Sequence, residues 1–495
     1  MVTKKTQAAL ELLRIGLAKR RRSDVNEASR QLLSLKPRLG IQWQSIATAL
    51  AWNGETSLAI AAIEEMQSNL GFDETSAYAK ANLLYRSGRL LEALEPIEDL
   101  VRAGRGPKTD IHRLSYQNFL GSIYLLLGRV KEARSAIDEA IALDPRSGQA
   151  WLSLSEIADF NGSDAGLVDQ LEDAYAQGAT IASEGMKLAH AAGRMRHQRG
   201  QYERAFEAFA QGAAFMISDP QVRAEREKFS VSALSLSFDA ELIARIASKV
   251  NIPHDRVIFV TGLPRSGTTL VEQIIASHSM VTHGDELGFF RIIGHEVGGL
   301  DARSFETWLD RGGDPNDLVR LYLHLASERY GSEGRFIDKT VELGNFMGVI
   351  LALFPKAPVF WMRREPIDNG WSAYRTAFAR GASWSWDLDE IGRRLAQEDE
   401  MVAYWSKEAP GQIHFVDYQS LVRESPAHIP KIAEHAKLRF EVQMLTPHQT
   451  ERTVTTASVT QVREPINLKG LGVADPYRRF LGPMIEAYEA AKPVN

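Results

Sequence analysis

Glycines at 54, 88, 128, 162 and 200 divide the first half of the chain at intervals of 34, 40, 34 and 38 residues. A recurring period of that length constrains the fold more than any other feature of the sequence. Each glycine lies between two segments with helical spacing of apolar residues, as in Leu-Leu-Tyr-Arg-Ser-Gly88-Arg-Leu-Leu-Glu-Ala93. Glycine suits a tight helix–helix turn because it accepts left-handed backbone angles that other residues resist. An alanine-x3-apolar step recurs at Ala59 and Ile63, Ala93 and Ile97, and Ala205 and Phe209. A single helical hairpin cannot bury its own apolar face, so such units must stack.

The stretch from Gln117 to Pro145 is the clearest unit. Leu120-Gly121, Tyr124, Gly128, Ala133, Ile137, Ala140 and Pro145 stand at spacings that resemble the tetratricopeptide pattern. The resemblance implies an α-helical solenoid of about five or six units over roughly residues 6–220, here assigned to domain 1–220. Concave solenoid faces bind proteins or peptides, so an acceptor protein or peptide docked on the repeats is the expected partner. Residues 221–250 read as a connector, with a helical stretch from Leu234 to Lys249.

At Arg256 the texture changes. Arg256-Val-Ile-Phe-Val-Thr261 is a short apolar run typical of a buried parallel strand. It enters Gly262-Leu-Pro264-Arg265-Ser266-Gly267-Thr268-Thr269, after which Leu270 to Ser277 is helical in pattern. Strand, glycine-bounded loop and helix together form a phosphate cradle, in which backbone N–H groups and the positive helix end meet an anion. The nucleoside-triphosphatase loop carries a lysine where this chain has Thr268. A magnesium–triphosphate substrate is therefore disfavoured, and Arg265 supplies the cation instead.

Other chemistries fall away on composition. The 495 residues include no cysteine, which excludes thiol nucleophiles and cysteine-held metals. No His-x3-His pair occurs, and no metal is expected. A net charge of -5 argues against a general nucleic-acid binder. The start, Met-Val-Thr-Lys-Lys-Thr, lacks a signal-peptide core, and no run of about 18 apolar residues spans a membrane. The expected compartment is the cytoplasm.

Pro264-Arg265-Ser266-Gly267-Thr268-Thr269-Leu270 resembles the 5′-phosphosulfate loop of sulfotransferases. The resemblance is strongest to tyrosylprotein sulfotransferases and to bacterial sulfotransferases fused to tetratricopeptide repeats. It implies 3′-phosphoadenosine 5′-phosphosulfate (PAPS) as sulfonate donor, with no metal. It also implies a P-loop-like, three-layer α/β domain with a parallel sheet over residues 251–495, so that the whole chain is a multidomain α plus α/β protein. Arg364 and Ser372, eight residues apart after a second apolar run (Pro358 to Met362), are similar to the family's 3′-phosphate motif. A guanidinium fork and a hydroxyl fit phosphate oxygens. Lys339, after Phe336-Ile-Asp338, stands where the family carries a lysine near the transferring sulfonate. The loop that follows departs from the bacterial pattern, with Val341 in place of proline and Asn345 two positions late.

Ser458-Val-Thr-Gln461-Val462-Arg463-Glu-Pro465-Ile466-Asn467 resembles a late serine loop of tyrosylprotein sulfotransferases. This places Ser458 at the sulfonate and Arg463 at the nucleotide, with Lys469, Arg478 and Arg479 as further cations. A base must take the acceptor's proton. His283-Gly284-Asp285-Glu286 matches the family's Gly-Glu-Glu, which implies Glu286, with Asp285 and His283 as rivals and a helix-capping role for Glu286 as the plain alternative. The acceptor is expected to be a protein or peptide tyrosine. A carbohydrate, lipid or small-molecule hydroxyl, a non-catalytic nucleotide-binding scaffold and a kinase-like enzyme stand as alternatives.

Overall fold

The computed structural model describes residues 3–71, 73–102, 109–179, 181–228, 236–378, 381–450 and 464–492. Paired helices run through the first half: Lys4–Ala18 with Arg22–Leu35, Gln42–Trp52 with Thr56–Leu70, Glu74–Arg86 with Leu90–Arg102, and Asp110–Leu126 with Val130–Leu143. Further on, Gly148–Leu154 packs on Val130–Leu143 and on Ala182–Gln198, Val168–Gln177 packs on Ala182–Gln198, and Ala182–Gln198 pairs with Tyr202–Ile217. The turn glycines Gly54, Gly88, Gly128 and Gly200 all have φ between 71° and 78°, which is why those four turns are written in glycine; Gly162, the fifth of the series, is not at a positive φ.

The chain divides into two compact units. The first comprises residues 1–116, 288–296 and 320–333. Its core holds Trp43, Leu50, Ile63 and Met66, all fully buried. Glu55 is buried there among the Arg22 guanidinium, Asn26 Nδ2 at 2.8 Å and His324 Nε2 at 3.2 Å. Glu55, His324 and Glu328 have the spacing of metal ligands, but Glu55 already has Arg22 and Asn26 as partners.

The second unit comprises residues 117–287, 297–319 and 334–495, and it contains the sheet. Strands β1 (Val257–Thr261), β2 (Val281–Asp285), β3 (Arg335–Asp338), β4 (Val359–Arg363) and β5 (Ile413–Asp417) run parallel in the order β2-β3-β1-β4-β5. β1 is fully buried, as the unbroken apolar run requires of a strand covered on both faces. One core packs Ile258, Val260, Ile337 and Phe360 against Ile274 and Ile275 of the helix Thr268–Ala276. A second core joins the last helix pair to the sheet side, with Met186, Ala205 and Phe209 against Trp371, Tyr477 and Trp386. Trp371 and Tyr477 lie 4.0 Å apart by ring centroids, and Phe209 meets Trp371 edge-on at 5.7 Å. The connector contains the helices Pro220–Lys228 and Ala240–Ala247. The strand order reverses about β1 and β4, and sheets of this kind place their ligands off the carboxyl ends of the strands at such a point. Among the described residues no helix is long and apolar enough to cross a membrane.

Candidate active site

The loop leaving β1 has a backbone that few sequences could follow. Gly262, Arg265 and Gly267 have φ of 142°, 69° and 105°. A Cβ at Gly267 would lie 2.6 Å from the Tyr418 ring, so the loop needs glycine there for space as well as for conformation. Gly267 then caps the helix Thr268–Ala276. The side chain of Asn369 donates to Pro264 O at 2.7 Å, and Glu342 N donates to Gly262 O at 3.1 Å. The loop is thus braced from two sides.

A cleft of about 930 Å³ opens over this loop. Pro264, Arg265, Gly267, Thr268, Thr269 and Leu270 line it, together with Arg364 and Ser372. Arg265 Nε donates to Ser372 Oγ at 3.2 Å, so Ser372 reaches the first loop's arginine rather than Arg364. Arg364 donates to Arg265 O at 2.8 Å and to Gly470 O, and it lies 5.1 Å over the Tyr418 ring. Its Nε, and the Oγ of the buried Ser266, have no hydrogen-bond partner among the described residues. Arg363 turns elsewhere and pairs with Asp399.

Arg375 also lines the cleft. Sequence reasoning missed it, although it stands three residues after Ser372, a spacing that puts both on one face of a helix. Among the described residues no carboxylate pairs with it. Burial pushes the Arg375 guanidinium down to about 10, and the neighbouring Arg364 and Arg194 work in the same direction. Burial likewise pushes Arg265 down to about 9, helped by Arg375, Arg364 and Arg194. Crowded, desolvated cations of this kind are relieved by an anion.

Lys339 and Glu286 meet at the other side of the cleft. Lys339 follows β3, is 1% exposed, and donates to Glu286 Oε1 at 2.7 Å. Burial acts against its charge, yet Glu286, Glu272 and Asp285 outweigh burial and raise its pKa. The pair is set by backbone: Lys339 N donates to Asp285 O at 2.9 Å, and Leu287 N donates to Thr340 Oγ1 at 2.9 Å. That bond and the left-handed φ of Gly288, 63°, keep a helix from starting directly after Glu286. The next helix therefore begins only at Phe290, and the capping role for Glu286 falls away. Asp285 is buried, with Oδ1 accepting from Glu286 N at 2.7 Å. The side chain of His283, and all of Ser458 and Arg463, lie outside the described residues.

The loop in which Val341 replaces proline turns through Glu342 at φ 63°. Glu342 accepts from Trp384 Nε1 at 3.0 Å and Arg394 Nε at 3.3 Å. Lys469 lines the cleft and pairs with Glu464 at 2.7 Å. Arg479 pairs instead with Glu203 on the surface, and neither it nor Arg478 is among the lining residues. Trp371 and Trp386 are core residues, at 0% and 2% exposure. Glu156 reaches the cleft from the helical region, which no motif foretold.

The chain is similar to several known proteins. An uncharacterised Aquifex aeolicus protein is 28% identical over 374 residues, 73% of this chain. The match covers 48% of that relative, so the chain spans about half its length. A candidate protein-tyrosine sulfotransferase of Caenorhabditis briggsae is 24% identical over 227 residues, 44% of this chain and 80% of the relative. Among solved structures, the sulfotransferase domain of the Synechococcus PCC 7002 olefin synthase matches at 16% identity and a TM-score of 0.34. It covers 50% of this chain and 98% of that domain. A Mycobacterium avium sulfotransferase matches at 14% and 0.29, covering 68% and 99%. Residues 257–442, which carry the phosphate loop, Glu286, Lys339, Arg364 and Ser372, match the profile of the sulfotransferase family, and this part of the chain is a sulfotransferase-family domain.

Proposed function

We propose that the protein transfers a sulfonate group from PAPS to an acceptor hydroxyl. The observation that carries this reading is the convergence of Arg265, Arg364 and Arg375 on one cleft beside a phosphate loop that lacks the triphosphatase lysine. Arg364 Nε and Ser266 Oγ, without a hydrogen-bond partner among the described residues, fit a ligand rich in anionic oxygens. The loop N–H groups and Arg265 hold the 5′ end, and Arg364, Ser372 and Arg375 hold the 3′-phosphate. PAPS supplies the sulfonate and leaves as the adenine bisphosphate.

Glu286 takes the acceptor proton through a carboxylate of which Lys339 uses only Oε1. The acceptor oxygen bonds to sulfur as the bond from sulfur to the bridging oxygen breaks. Lys339 and Arg265 balance the charge that grows on the departing oxygen. Ser458 and Arg463 belong to this site by sequence resemblance alone. The acceptor is a protein or peptide tyrosine, brought by helix pairs of tetratricopeptide type in residues 1–220. This part of the reading rests on the repeat spacing and on the Caenorhabditis relative's name.

Calorimetric titration with adenosine 3′,5′-bisphosphate in EDTA, beside ATP with magnesium, tests the donor site. The expected result is bisphosphate binding that ATP does not match and that Arg265→Ala abolishes. A preference for magnesium–ATP would refute it.

A further inference from the structure

Glu156 is the one carboxylate lining the cleft, among the described residues, that the helical region contributes. It follows the helix Gly148–Leu154, and its Oε1 accepts from Arg194 Nη1 at 3.1 Å. Arg194 belongs to the helix Ala182–Gln198, which is fastened to the sheet side at two points. The His197 ring nitrogen Nδ1 and the Tyr477 hydroxyl are 2.7 Å apart, and the edge of His190 meets Trp386 at 5.6 Å. The Arg194 and Glu156 side chains are 25% and 33% exposed, so their charges are only partly screened. Both are felt at the phosphate loop: Arg194 lowers the pKa of Arg265 and Arg375, while Glu156 opposes that fall at Arg265.

A carboxylate beside an anion cleft has two consequences. Without ligand it offsets the mutual repulsion of the arginines. With ligand it repels every phosphate and sulfonate oxygen nearby. A cleft built only of cations would hold the bisphosphate product tightly and delay the next turnover, since differences in affinity reside mostly in dissociation rates. Resting on the donor reading above, we propose that Glu156, set in place by Arg194, is a positioning residue that acts through the arginines of the cleft to loosen the adenine bisphosphate and speed its departure. The helical region then forms part of the nucleotide site itself.

The test uses the full chain and adenosine 3′,5′-bisphosphate as probe, with affinity from calorimetry and dissociation followed by displacement. Glu156→Gln is expected to bind roughly three- to tenfold more tightly and to release more slowly. Arg194→Gln, which leaves Glu156 without its partner, is expected to bind more weakly by a similar factor. Both differences shrink as salt is raised. Glu203→Gln, a surface carboxylate paired with Arg479, leaves the affinity unchanged and controls for net charge. Damage to the fold would weaken both cleft variants, so the opposite signs separate a charge effect from a structural one. Unchanged or weaker binding by Glu156→Gln, with binding intact in the unaltered protein, overturns this inference alone. No binding by the unaltered protein overturns the donor reading, and this inference with it.

Discussion

Removing residues 1–220 tests how the helical region and the sheet are joined within the second unit. A docking arm that only presents the acceptor would come away cleanly and leave the nucleotide site intact. The packing predicts otherwise. The deletion removes Phe209, Met186 and Ala205 from the core that holds Trp371, Tyr477 and Trp386. These three aromatics are now 0%, 0% and 2% exposed. Uncovering each costs about 1.5–3 kcal/mol, roughly 5–9 kcal/mol together, against a whole-domain stability of about 5–15 kcal/mol. The hydrogen bond between His197 and Tyr477 goes as well. Trp371 lies on the same helix as Ser372, directly before it, and Arg375 follows that helix, so the anion site loses its support. Residues 221–495 expressed alone are expected to lack a cooperative thermal transition and to bind no bisphosphate by calorimetry. A cooperative melt with full-length affinity would show that the aromatic core contributes little, and would refute the reasoning.

Arg364→Ala should weaken bisphosphate binding about 10- to 100-fold by titration, the usual worth of hydrogen bonds to a charged group. Arg363→Ala, which loses only the Asp399 pair, should leave binding alone. Glu286→Gln should lower turnover of labelled PAPS by about 10²- to 10⁴-fold with bisphosphate affinity retained; equal loss of both would reassign Glu286 to donor binding. Gly267→Ala should abolish bisphosphate binding, because its Cβ meets Tyr418 at 2.6 Å at a positive φ. Burial pushes His190, His197 and His414 down to about 4, whereas unfolded histidine titrates near about 6.5. The unfolded chain then binds more protons between these values, so the full stability exists above about 6.5 and is lost as pH falls toward about 4. His190 alone accounts for roughly 3 kcal/mol of that loss. Urea midpoints at pH 7 and pH 5 check this, and equal midpoints would refute it.

What the sequence made legible is what local spacing encodes. Turn glycines, the buried run before Gly262 and the loop itself are local patterns, and β1 and the helix after the loop lie within a residue or two of where the pattern puts them. Glu286 and Lys339 could be nominated one at a time, but not as a pair, because 53 residues separate them and the parallel pairing of β2 with β3 is what brings them together. Ser372 was matched to Arg364 by motif, yet its hydrogen bond goes to Arg265, 107 residues away. Arg375 left a faint signal in its spacing from Ser372. Glu156 and Arg194 left none, because their relation to the phosphate loop exists only once the last helix pairs pack on Trp371 and Tyr477.

On the donor reading proposed above, the same long-range relations let a loop without the triphosphatase lysine hold a highly charged donor. Thr268 supplies no cation, so the charge must arrive from elsewhere in the chain. Arg265 comes from the loop, Arg364 from the end of β4, Arg375 from the end of the next helix and Lys339 from the end of β3. Each is desolvated, and desolvated like charges repel, so such a cluster needs anions at all times. Glu286 meets Lys339 and Glu156 meets Arg194 before the donor arrives. The two carboxylates differ in what the donor then asks of them. Glu286 keeps Oε2 clear of the lysine and can take a proton there. Glu156 has its Oε1 on the Arg194 guanidinium, so its part is confined to charge. Exchanging a carboxylate for an amide at both positions should therefore separate chemistry from release: Glu286→Gln slows the transfer step without changing bisphosphate dissociation, and Glu156→Gln slows dissociation without changing a single-turnover transfer rate. Crossed effects would mean that the two acids share one role.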